Sequence, residues 1–220
     1  MLIDNDYEIL PVVETLLKSE HFYEEERIGC MIKNPWDFTM GMLKQLDIQF
    51  PDDTEVCYET FSFVFQSTIV LQMEYYSPPS VAGWKAYYQA PSYYRVWLNS
   101  VTLPNRDFVT STLVNFGAPL FSSGGNVDGL VPIDYLGILN GLSNPWEQSI
   151  VVEEFAQMLF PKEIADNQKD ILEGILTATW TNEYSNYIGD PNNEELSNPI
   201  RAKIQTLVLA MMRMPEFQFM

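Results

Sequence analysis

The sequence predicts a mainly α-helical fold: an irregular multi-helix domain with long ordered loops and little or no β-sheet. Three observations carry this. Ile200, Ile204, Leu207, Val208 and Met211 form one apolar stripe at helical period, with Arg201, Lys203 and Gln205 off it. The stretch Thr54–Met73 contains neither Gly nor Pro, a length ordinary for a helix and long for a strand. Asn-Pro pairs at Asn34, Asn144 and Asn198 look like helix starts.

In chain order, Asn34-Pro35-Trp36-Asp37 and Asn144-Pro145-Trp146-Glu147 each place Asn at an N-cap, Pro at the first helical position and an acid at the third; Asn198-Pro199 repeats the first two. Asn accepts an orphan backbone N–H, Pro presets φ, and the acid meets the positive helix end. Within Thr54–Met73, Phe61, Phe63 and Phe65 alternate as in a strand, but apolar residues lie on nearly all sides, so a buried central helix is expected. A helix over Pro104–Asn115 closes at Gly117. Another over Trp146–Phe160 has Val151, Phe155, Met158 and Leu159 on one face and ends at Pro161, and a shorter one spans Gln168–Thr177. Ser77–Pro91, Ser122–Val131 and Gly189–Ser197 read as loops.

The 220 residues fit one helical domain over the whole chain. Net charge is −18 with only 12 Lys plus Arg, which argues against nucleic-acid or anionic-lipid partners, since both require cations facing phosphate. The acidic runs read as solvated surface and helix first turns. No apolar run is long enough for a membrane helix, and the acidic N-terminus has no basic region of a signal peptide, so a soluble domain is expected and no compartment is implied. Cys30 and Cys57 have no Cys or His at metal-ligand spacing. Buried free thiols are the expected state, with a single disulfide open only in an oxidising compartment.

An ordered series of short elements carries a family resemblance: Glu20-His21-Phe22, Arg27 through Pro35, Pro78-Pro79-Ser80-Val81-Ala82-Gly83-Trp84, Trp97-Leu98-Asn99-Ser100 and Met214-Pro215-Glu216-Phe217-Gln218. It resembles the C-terminal half of a bacterial family known as domain of unknown function eighteen-hundred. The resemblance implies a mostly helical fold and supplies no catalytic residues. Members of the family are usually about twice this length, which implies a partner surface for the other half. Their genes often neighbour that of a second uncharacterised protein.

The aromatic stretch is the main binding candidate: Tyr75, Tyr76, Trp84, Tyr87, Tyr88, Tyr93, Tyr94 and Trp97 fall in one short region. Exposed aromatic faces stack on sugar rings or extended peptides at little ordering cost. The alternative is a loop clamped to the helices by its own rings. Gly83 before Trp84 and the apolar neighbours of Trp97 favour that alternative for both indoles. His21 is the only histidine, so any His-dependent nucleophile must use it, and Cys30 is its nearest nucleophile in sequence. A structural hydrogen-bonding role is the simpler expectation. Asp128 and Asp190 sit in Gly/Asn-rich stretches that lack the spacing of a calcium loop, and turn chemistry accounts for both. No catalytic or metal-binding residue and no cofactor is assigned.

The expected function is a non-catalytic binding or scaffold domain. It would act with the N-terminal half of the family domain or a neighbour-encoded protein, or self-associate through the same surface. The competing expectation is a carbohydrate-active or other hydrolytic enzyme using the aromatic loop as its substrate platform, which would need paired carboxylates across a cleft.

Overall fold

A computed structural model describes residues 2–84, 96–121 and 127–220. Among these, nine α-helices and one two-stranded hairpin account for the regular structure, so the mainly α expectation holds. The helices are α1 (Leu10–Leu17), α2 (Pro35–Gln45), α3 (Thr54–Val70), α4 (Thr102–Phe116), α5 (Tyr135–Asn140), α6 (Gln148–Leu159), α7 (Asp166–Leu176), α8 (Trp180–Gly189) and α9 (Glu194–Arg213). Strands β1 (Ala118–Phe121) and β2 (Val127–Val131) pair antiparallel with a bulge at Leu120/Phe121. β2 occupies part of the stretch expected to be loop. Gly117 makes the turn from α4 into β1: its φ is +88°, and a Cβ there would stand 2.2 Å from the Val131 carbonyl oxygen.

Helix α9 is the axis of the core. Ile200, Ile204, Leu207, Val208 and Met211 are all fully buried, and α4, α5, α6, α7 and α8 pack around them. Burial of this stripe removes the largest aliphatic surface of the helix from water, which is what holds a polar-faced helix in place. Val151, Phe155 and Leu159 of α6 are buried as expected, with Met158 at the edge.

Of the three predicted helix starts, one is realised. Asn34 Oδ1 accepts from Trp36 N at 2.9 Å and Asp37 N at 3.0 Å. Asn34→Ala should therefore lower stability by ~1 kcal/mol, read as a lower urea midpoint; an unchanged midpoint would remove the cap from the account. At Asn144 the Asn-Pro pair makes a turn, and α6 begins four residues later at Gln148. At Asn198 the helix has already begun: Asn193 is the N-cap, accepting from Glu195 N at 3.0 Å, and Pro199 lies inside α9. Pro199 is exposed, so the carbonyl its missing N–H would have paired faces the solvent side of the first turns.

Helix α3 corrects a second expectation, because it is not buried all round. Its inward face holds Thr60, Phe63, Val64, Ser67 and Thr68, while Tyr58, Phe61 and Val70 are exposed. The thiols are free, but Cys30 is exposed and Cys57 half-buried, so the expectation of burial fails for Cys30. Among the described residues, no helix is long and apolar enough to cross a membrane.

The two chain regions flanking the core are clasped. Ile32 bridges Phe219 antiparallel, Lys33 N donates to Gln218 O at 2.8 Å, and Met220 N donates to Met31 O at 2.8 Å. Arg106 of α4 locks this clasp: Nη1 donates to Gln218 Oε1 at 3.0 Å and Nη2 to Lys33 O at 2.6 Å. Its guanidinium carbon lies 4.5 Å from the Phe38 ring centre, and Lys33 Nζ lies 3.9 Å from that of Phe217. Both cations are buried, and among the described residues neither has a carboxylate partner, so aromatic faces stand in for one.

Candidate functional site

The N-terminal arm, residues 2–31, joins the core at its last residues, where Gly29 lies beside Pro161 and Met31 pairs with Met220. None of its residues is buried. Yet it carries Ile3, Tyr7, Ile9, Leu10, Val13, Leu16, Leu17, Phe22, Tyr23 and Ile28, all exposed, with Ile9 at 69% and Leu10 at 73%. Helix α1 has no buried residue and is only eight residues long. A helix this short is marginal in water by itself, so its apolar surface has more to gain from a partner than from solvent. Most of the arm's acids flank the helix, with Asp4, Asp6 and Glu8 before it and Glu20, Glu24, Glu25 and Glu26 after it, while Glu14 within α1 pairs with Lys18 at its end.

His21 lies in this arm and is exposed. Its Nδ1 is 2.7 Å from Glu24 Oε1, and its Nε2 meets Arg27 Nη2. A neutral ring protonated at Nδ1 satisfies both contacts. Hydrogen bonding from His21, then from Arg27, holds the Glu24 carboxyl below its usual range. The thiol of Cys30 donates to Arg27 O at 2.8 Å, so the nearest nucleophile is turned to backbone and His21 to a surface ion cluster. These contacts tie His21 and Cys30 into a local surface cluster around Arg27.

The aromatic stretch divides. Trp97 is buried at 7% exposure, and its carbonyl accepts from Thr102 Oγ1 at 3.0 Å. It is an anchor, as its apolar neighbours imply. Trp84 is half-buried. Tyr76 is 87% exposed and packs against Tyr75, whose ring makes an edge contact with Trp36 at 5.2 Å. Tyr87, Tyr88, Tyr93 and Tyr94 lie outside the described residues. Of the expected platform, the structure brings Tyr75 and Tyr76 together, against Trp36, which lies outside the aromatic stretch. Among the described residues, the buried Trp36 indole N–H has no hydrogen-bond partner.

Sequence reasoning missed a second aromatic group. Trp146, Trp180 and Tyr187 each pack against the Tyr184 ring, with ring-centre separations of 5.1 to 5.8 Å. Their polar ends are tied: Trp180 Nε1 donates to Pro145 O at 2.8 Å, Tyr184 OH to Asn140 Oδ1 at 2.8 Å, and Asn140 Nδ2 to Tyr187 OH at 3.0 Å. The spacing Trp180, Tyr184, Tyr187 is i, i+4, i+7, which was the available signal. Three of the four rings are buried, so the group is a core element.

A cavity of about 230 Å³ opens beside the end of α6, lined by Ala156, Phe160, Pro161, Ile164, Glu153 and Lys169 among others. Lys169 Nζ is paired with Glu153 at 2.5 Å, which raises the lysine and lowers the carboxylate from their usual ranges. That pairing leaves neither group poised as a general base. Asp190 N bonds back to Asn186 O and Tyr187 O, the turn chemistry expected of it, whereas Asp128 lies in strand β2 and not in the expected turn. Among the described residues no group of three or more His, Cys, Asp or Glu is placed to hold a metal ion.

No curated protein and no solved structure matches the chain. A family model does, over residues 1–219, nearly the full chain. Its description is protein of unknown function (DUF1800), and the chain belongs to that family.

Proposed function

We propose that the chain is a non-catalytic binding domain that docks through its N-terminal arm onto a partner protein, the N-terminal half of the family domain or a neighbour-encoded chain. The observation that carries the reading is the arm itself: an apolar helix with no buried residue, in contrast to α6 and α9, whose apolar stripes are packed in the core. Full burial of one Leu or Ile side chain contributes about 1.5–3 kcal/mol, so docking four of them offsets the cost of ordering a short helix. The acids at both ends of the arm define the partner: an apolar groove rimmed by Lys and Arg. A second copy of the same acidic chain is the poorer fit. The hydrolytic alternative has lost Trp97 from its platform, since that indole is buried.

The test uses the double variant Leu10→Asp/Leu16→Asp and the N-terminal half of a longer family member expressed as a separate chain. Mixed with the parent, that half should give a 1:1 complex by light scattering, and the double variant should not form it. Because both side chains face solvent, the variant's own urea midpoint should correspond to a change within ~0.5 kcal/mol. Absence of a complex with the parent, or one indifferent to the substitutions, would overturn the proposal.

A further inference from the structure

Helix α3 carries a surface that the arm does not explain. Tyr58, Phe61, Phe65 and Ile69 fall at i, i+3, i+7 and i+11, which is one stripe about three turns long. The stripe points outward. Tyr58 is 72% exposed, Phe61 is exposed, and Phe65 and Ile69 are half-buried. The Phe61 ring stacks on Phe50 at 4.9 Å and 15°, which widens the platform beyond the helix. The inward face holds Thr60, Ser67 and Thr68 beside Phe63 and Val64. Thr60 Oγ1 donates to Val56 O at 3.1 Å and Thr68 Oγ1 to Phe65 O at 2.8 Å, so these hydroxyls are buried with their bonds made within the helix. The helix thus buries three hydroxyl residues beside Phe63 and Val64 while it leaves a second apolar stripe on its outer face, where an ordinary surface helix is polar.

We propose that this outward face of α3 docks a basic amphipathic helix from another protein. The charge around the stripe selects that occupant. Asp52, Asp53, Glu55 and Glu59 surround its first turn, Glu74 lies past its last, and no Lys or Arg occurs in α3. An incoming helix with apolar residues at i, i+3, i+4 and i+7 seats on the rings by ridge-and-groove packing. Lys and Arg along its flanks pair with the acids. A symmetric pairing of two copies would set the same four acids against their counterparts in a chain of net charge −18.

The probe is a fluorescent 18-residue peptide with Leu at i, i+3, i+4 and i+7 and Lys elsewhere, titrated by anisotropy at 0.15 M salt. Saturable 1:1 binding is expected, weakened at least tenfold by Tyr58→Ser/Phe61→Ser. Glu55→Gln/Glu59→Gln should weaken binding and flatten its salt dependence. Glu194→Gln/Glu195→Gln and Leu10→Asp/Leu16→Asp should leave it unchanged, which separates this surface from the arm. Should the Phe61 variant fail to fold, Tyr58→Ser alone, at a mostly exposed position, still reads the stripe. Unsaturable binding, or affinity indifferent to the stripe substitutions, overturns the proposal. So does a dimer of the parent that Tyr58→Ser dissociates, because the occupant would then be a second copy.

Discussion

Trp180→Ala should lower the free energy of unfolding by ~3–5 kcal/mol, the largest single-site loss expected in the chain. Trp180 is fully buried and stacks on Tyr184 at 5.8 Å. Its removal leaves a cavity the size of an indole between α8 and the turn before α6. It also removes the only donor described for the Pro145 carbonyl, Trp180 Nε1 at 2.8 Å. A buried acceptor without its donor adds its own penalty to the transfer and cavity terms. Trp146→Ala is the internal control, because Trp146 touches the same Tyr184 ring but is 44% exposed. It should cost about 1 kcal/mol, mainly the lost aromatic contact. Urea denaturation at constant slope checks both. Equal losses at the two positions would mean that burial does not separate them.

The same region shows why part of the fold was legible in the sequence and part was not. The Asn34 cap was readable because its three signals, Asn, Pro and acid, act within one turn of the helix they start. Asn144-Pro145 carries the identical triplet, but its turn is held by tertiary contacts. Trp180 takes the Pro145 carbonyl, and Thr181 Oγ1 donates to Trp146 O at 3.0 Å. Those partners lie some 35 residues away, beyond any local pattern. At α9 the cap belongs to Asn193, followed by Glu194 and Glu195, and the Asn198-Pro199 pair masks it, because helix-interior proline is disfavoured on average. The α9 stripe was legible because burial there follows periodicity without exception. α3 was not, since a helix apolar on all sides does not say which side faces in. The candidate site divides the same way: the burial of Trp97 followed from its neighbours, whereas the exposure of the arm is a tertiary property that its apolar composition does not announce.

Stability should rise with pH between about 8 and 10, and Lys33→Met should abolish the rise. Lys33 is buried on the Phe217 ring, and burial, then the nearby Arg106 charge, lower its pKa to about 8, with Asp37 opposing weakly. In the unfolded chain the same amine titrates near 10.5. Between those values the unfolded state binds more protons than the folded one, so the free energy of unfolding increases with pH. Below pH 8 both states hold the proton, and the folded state carries the full cost of a buried ammonium. Across the window that cost, ~3 kcal/mol, is progressively relieved. Arg106, lowered to about 10 by burial, acts in the same direction from pH 10 upward. Tyr135 acts against it: burial raises its pKa well above the usual tyrosine range, so its contribution is complete below pH 10 and is lost above. Its hydroxyl donates to Val114 O at 2.7 Å, a bond the ionised form cannot make. The net profile is a climb from pH 8 that flattens near pH 10. Urea midpoints at half-unit steps from pH 7 to 10 measure it directly. A flat profile in the parent, or an undiminished climb in Lys33→Met, would show that the clasp does not bury a charged amine.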